Sequence, residues 1–223
     1  MKISLVVYIF SVFLMKVSIQ LQCFRCTALG STTCTQTAQN CSAERSNCLT
    51  SSVRLEYGMA VQNNSLLKTC SALDFCNKQI TGNFGNAKMT ILTDCCTSNL
   101  CNLSAFNISG LNTTTNGRFC NACSGTSADA CVNKYNQTQC TGNQDQCITA
   151  SGTFFSGISY VSGCASSDLC SKTIQQNLAF ILMNITDSKC TAANGSMGTT
   201  LTSISRSRII VLASMAVFAL KLF

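Results

Sequence analysis

The chain has 223 residues, with 18 cysteines and no histidine, proline or tryptophan; 15 basic and 8 acidic side chains give a formal charge of +7. The lack of histidine excludes the usual serine or cysteine triad with its imidazole base. Five of the basic residues, Lys2, Lys16, Arg206, Arg208 and Lys221, lie in the end segments, so residues 21–194 are nearly neutral and present no basic field for nucleic acid.

Residues 1–20 open with Lys2, continue through the uncharged run ISLVVYIFSVFLM, and leave through Lys16 and Ser18. That order of charge, apolar core and polar exit predicts a secretory signal peptide cut near Gln20. As a helix the apolar run reaches only ~20 Å, short of the ~30 Å hydrocarbon core. Export implies an oxidising compartment in which thiols form bridges.

All 18 cysteines fall between positions 23 and 190, and the number is even, which predicts a disulfide framework. Zinc is disfavoured, because neither CFRC nor CNAC has a second C-x-x-C at finger spacing and no histidine is available. The first cysteine series is Cys23, Cys26, Cys34, Cys41, Cys48, Cys70, Cys76 and Cys95. Between its members, Leu49, Ser51, Val53, Leu55 and Tyr57 alternate with Thr50, Ser52, Arg54 and Glu56, the period of a strand.

The stretch TDCCTSNLCN, residues 93–102, adds Cys96 and Cys101. A bridge between neighbours Cys95 and Cys96 would strain the planar trans amide, so each is expected to pair elsewhere. Residues 103–118, LSAFNISGLNTTTNGR, lack cysteine and read as a linker. The second series is Cys120, Cys123, Cys131, Cys140, Cys147, Cys164, Cys170 and Cys190. Of its seven intervals, four equal those of the first series, and CITAS at 147–151 matches CLTSS at 48–52, so the chain is a tandem duplication. Within the second half Ile158 and Tyr160 follow a turn-like Ser156-Gly157, and TIQQNLAFILM from Thr173 is read as local packing.

Sequons begin at Asn40, Asn63, Asn102, Asn107, Asn112, Asn136, Asn184 and Asn194. Glycans are expected at Asn63, Asn107, Asn112, Asn136 and Asn184; Asn40 and Asn102 are weaker acceptors. The chain closes with IIVLASMAVFALKLF after a polar spacer and the small trio Asn194, Gly195, Ser196. Small site, spacer and apolar tail together predict a glycosylphosphatidylinositol (GPI) signal over 195–223, with Asn194 the favoured acceptor and Ser196 or Gly198 as alternatives.

Opening on Leu21-Gln-Cys23-Phe-Arg-Cys26 and closing on C-C-x4-C-N, the first half resembles a domain of the lymphocyte-antigen-6 / urokinase-receptor (LU) family, with its snake-toxin-like three-finger fold. The second half repeats that register without the last cysteine pair and the final asparagine, and two-module urokinase-receptor-like or gamma-type phospholipase-inhibitor-like proteins are similar in plan. The resemblance implies an all-β, disulfide-rich architecture of two tandem three-finger domains, at 21–102 and 119–194. It implies the bridges Cys23–Cys48, Cys26–Cys34, Cys41–Cys70, Cys76–Cys95 and Cys96–Cys101 in the first domain. In the second it implies Cys120–Cys147, Cys123–Cys131, Cys140–Cys164 and Cys170–Cys190, and Asn102 would tie the first domain's end to backbone.

The acidic residues Asp74, Asp94, Asp129 and Asp168 are scattered near cysteines and read as turn positions. No catalytic activity, cofactor or metal is expected. What remains is recognition of a protein ligand by loops on a rigid scaffold. The aromatic and methionine content of YGMAV at 57–61 and TFFSGI at 153–158 singles out Tyr57, Met59, Phe154 and Phe155 as candidate contacts. The expected protein is a GPI-anchored cell-surface receptor or modulator; a secreted inhibitor and a neurotoxin-like modulator of ion channels are the alternatives.

Overall fold

The computed structural model describes residues 20–58, 61–104, 108, 111–131, 136–154, 157–178 and 183–195. Residues 1–19 of the expected signal segment and the apolar tail lie outside the described residues. No helix among the described residues is long and apolar enough to cross a membrane.

The first module is three antiparallel hairpins. Strands β1 (Gln22–Ala28) and β2 (Thr37–Asn40) form the first finger, β3 (Asn47–Tyr57) and β4 (Val61–Ser71) the second, β5 (Gln79–Asn83) and β6 (Ala87–Cys96) the third. Strand β3 is the spine, pairing along its length with β4 and from Cys48 onward with β6. Leu49, Val53 and Leu55 are buried, as the alternating pattern requires, yet Thr50 and Ser52 on the other face are buried too. The chain end after Cys101 covers that second face: the Asn102 side chain donates to Leu49 O and Phe24 O and accepts from Phe24 N–H.

The second module repeats the plan with differences in its last third. Strands β7 (Thr115–Gly125) and β8 (Asn136–Thr141) form its first finger, and β9 (Gln144–Thr153) and β10 (Tyr160–Ser166) its second. Where the first module has β5, the second has the one-turn helix α1 (Lys172–Gln176), followed by β11 (Asn184–Ala192) on β9. Ile174, Leu178 and Met183 are buried in the core, so the apolar cluster in TIQQNLAFILM packs locally at these three positions. Residues 115–118, read from composition as linker, already belong to β7. The side-chain amide of Asn116 donates to Gly142 O and Gln144 O, which draws this polar stretch onto the β8–β9 turn.

Nine bridges use every cysteine. They join Cys23–Cys48, Cys26–Cys34, Cys41–Cys70, Cys76–Cys95 and Cys96–Cys101, then Cys120–Cys147, Cys123–Cys131, Cys140–Cys164 and Cys170–Cys190. These are the partners that the resemblance implies. At the base of each module the sulfurs form a small apolar cluster of their own. Modules of this size bury too little apolar surface to be stable by packing alone, and bridges supplement them.

The two modules are welded edge to edge. Strand β5 of the first pairs with β10 of the second, Cys164 opposite Asn83 and Ala165 opposite Gly82, so the strand order runs β11-β9-β10-β5-β6-β3-β4-β1-β2. Gly163 permits the approach: a Cβ there would stand 2.0 Å from Asn83 O. One hydrophobic cluster crosses the seam, taking Ile80, Phe84, Met89 and Ile91 from the first module and Ile148, Val161, Ala165 and Leu169 from the second. Burying each large apolar side chain contributes about 1.5–3 kcal/mol. Polar links flank it: Thr81 N–H to Ser166 Oγ at 3.0 Å, Thr81 Oγ1 to Asn143 Oδ1 at 2.9 Å, and Lys78 Nζ to Asp168 Oδ1 at 2.9 Å.

Candidate binding surface

Each finger of the first module ends in a turn fixed by its neighbour. Gly58, at φ 62°, turns the second finger, and its N–H donates to Asn86 O at the tip of the third. Gly30 N–H donates to Ser65 Oγ, laying the first finger's end against the second. These contacts leave two large apolar side chains outward at the finger ends, Tyr57 at 41% exposure and Leu29 at 53%. Leu29 was missed by the sequence reading. Its signal, a lone leucine in the turn TALGST, is too short to separate a displayed side chain from a buried one.

The second module does not mirror this display. Phe154 is 3% exposed and belongs to the core shared by the modules. Its N–H donates to Ile158 O in a tight closure that returns the chain inward. The expectation of an exposed anchor is therefore not met at Phe154. Met59, Phe155 and Asn107 lie outside the described residues.

Two depressions flank the seam. One, of about 370 Å³, lies between the third finger and the β8–β9 turn and is lined by Arg54, Glu56, Lys88 and Asn143, with the linker residues Leu111 and Asn112 at its side. The other, of about 420 Å³, has Leu49, Leu67 and Phe75 in its wall with Arg25, Arg45 and Asp74, and is closed on one side by Thr173 and Asn177 of the second module. On the first module's sheet, Lys68 is 1% exposed and its Nζ donates to Leu103 O. Burial pushes the Lys68 ammonium below its ordinary pKa of 10.5.

Asn112, Asn136 and Asn184 are exposed, Asn63 stands opposite Leu55 in the β3–β4 register, and Asn194 pairs with Phe119 in the two-residue strand β12 (Asn194–Gly195). Asn102 is 4% exposed and hydrogen-bonded at both amide atoms, which leaves its sequon closed in the folded domain.

Asp145 and Asp168 line one depression together with Arg118, and the other acidic residues stand apart from it. Asp168 pairs with Lys78, Asp145 accepts from Ser167 Oγ at 2.9 Å, Asp74 lines the second depression, and Asp94 and Asp129 are exposed singly. The groups with metal-ligand proximity, Cys23, Cys41 and Cys70, and Cys120, Cys140 and Cys164, are all bridged, so their sulfurs are not thiolates. A thiolate, not a disulfide sulfur, is the nucleophile and metal ligand.

With two knots of bridged sulfur, each projecting hairpins, the geometry defines a tandem three-finger protein. The u-PAR/Ly-6 domain model matches residues 19–104 and 116–200, and the chain belongs to that family. Membership supports a non-enzymatic, extracellular or cell-surface role in protein binding.

Proposed function

We propose that the chain is a non-catalytic, GPI-anchored cell-surface glycoprotein whose first module binds a protein ligand through its finger ends, as receptor or modulator. Residues 1–20 would be removed on export, 21–102 and 119–194 would form the two binding modules joined by a glycosylated linker, and Asn194 would carry the lipid after loss of 195–223. The observation that carries the binding role is the display of Tyr57 and Leu29 on fingers held by bridges, within a family of protein binders. Exposed large apolar side chains on a rigid support lose little conformational entropy on docking.

Two measurements test the reading. Phosphatidylinositol-specific phospholipase should release the protein from intact cells, and retention after treatment rejects the lipid anchor. Cell-surface capture with purified residues 21–194 should recover a protein whose binding falls at least about tenfold on Tyr57→Ala, the loss of ~1.4 kcal/mol or more typical of an interface anchor. Unchanged capture by Tyr57→Ala and Leu29→Ser rejects the finger ends as the contact.

A further inference from the structure

Resting on the glycoprotein reading and extending it to the weaker acceptor Asn40, which is exposed at the end of its strand, we propose that N-glycans at Asn40, Asn136 and Asn184 are guards of the sheet's open edges that keep the protein from pairing with a second copy of itself. A strand with a partner on one side only presents unpaired N–H and C=O groups, a template for another chain. Among the described residues β2, β8 and β11 are such strands, since there β2 pairs only with β1, β8 only with β7, and β11 only with β9. Each carries a sequon: Asn40 ends β2, Asn136 begins β8 and Asn184 begins β11. All three asparagines are exposed. The strands paired on both sides, β1, β3, β5, β6, β7, β9 and β10, contain no sequon. Asn63 extends the pattern: it lies on the part of β4 beyond the reach of β1, which pairs with Leu66, Leu67 and Lys68 alone.

Two of the usual edge protections, proline and charge, are missing from β2 and β8. The chain has no proline. Strand β2 reads TAQN and β8 reads NQTQCT, neither with a charge. Neutral strands rich in glutamine, asparagine and threonine pair readily, because nothing repels the incoming backbone. Strand β11 has Asp187, Lys189 and an irregular register with β9 between Ile185 and Asp187, so it depends least on its glycan. An N-glycan is bulky and strongly hydrated, and attached at a strand end it excludes a second sheet from that edge.

The test uses full-length protein secreted from or released by eukaryotic cells. Glycopeptide mass spectrometry should find glycans at Asn40, Asn136 and Asn184. Trimming the folded protein to single N-acetylglucosamines with an endoglycosidase, with no substitution that could impair folding, should then convert a monomer into dimers and larger species by light scattering. The triple variant Asn40→Gln, Asn136→Gln, Asn184→Gln should associate likewise, with Asn136→Gln contributing more than Asn184→Gln, whereas the linker variant Asn112→Gln should stay monomeric. Trimmed protein that remains monomeric overturns the edge role and leaves the glycoprotein reading standing. Glycans absent from every sequon overturn both.

Discussion

Asn102 holds three backbone partners with one side chain, donating to Phe24 O and Leu49 O and accepting from Phe24 N–H. At ~1 kcal/mol for each buried bond, Asn102→Ala should cost about 2–4 kcal/mol in chemical denaturation. Asn102→Asp keeps the acceptor but loses both donors and sets a charge against two carbonyl oxygens, so it should cost at least as much. A change below the error of the measurement for either variant contradicts the tie. Lys68 makes a different prediction. Its pKa is lowered by burial in the folded chain and returns to 10.5 on unfolding, so the unfolded state binds more protons across the interval between the two. Stability contributed by Lys68 therefore rises as pH climbs through its lowered pKa and is fully gained above 10.5. The melting temperature of Lys68→Met, compared with the parent across that range, should lack this gain; parallel profiles contradict it.

Between elements, bridges differ in what they close. Cys41–Cys70 spans 29 residues and Cys96–Cys101 only five. On loop-closure entropy the longer loop contributes ~3.5 kcal/mol and the shorter ~2 kcal/mol. The double variant Cys96→Ala, Cys101→Ala should accordingly remain folded and lose less stability than Cys41→Ala, Cys70→Ala, as read by thermal melting; the reverse order contradicts the argument. The second module already does without that small loop. There the chain after Cys190 pairs onward as β12 on β7, and Ala193 N–H donates to Asp145 O, closing the base by backbone alone. Gly163 sets the seam. Adding a Cβ 2.0 Å from Asn83 O must push β10 from β5, so Gly163→Ala should destabilise by about 1–3 kcal/mol and speed proteolysis near the linker. Wild-type resistance in that variant contradicts the close packing.

For the whole molecule, one core spans both modules, and this predicts one cooperative unit. Calorimetry of residues 21–194 should give a single transition with calorimetric and van't Hoff enthalpies equal, whereas two resolved transitions would mean the modules melt independently. The Lys78–Asp168 pair across the seam is only partly buried on both sides and contributes little beside the apolar cluster, within ~1 kcal/mol. Asp168→Asn should leave the single transition intact.

Cysteine spacing was legible in the chain because a register of 18 positions is local information read directly, and both the duplication and, through the resemblance, the bridge partners follow from it. The spine strand β3 was legible for the same reason, since alternation from Leu49 to Tyr57 is a property of neighbours in sequence. Exposure was not. Phe154 and Tyr57 stand in similar aromatic turns, and only the second module's inward closure and the shared core decide that one ring is buried while the other faces outward. The seam was equally hidden: the pairing of β5 with β10 joins residues about 80 positions apart, and no periodicity in either strand encodes which foreign edge it will meet. Covalent chemistry and local period are written along the chain, whereas burial, strand partnership and open edges are settled only when distant segments compete for the same space.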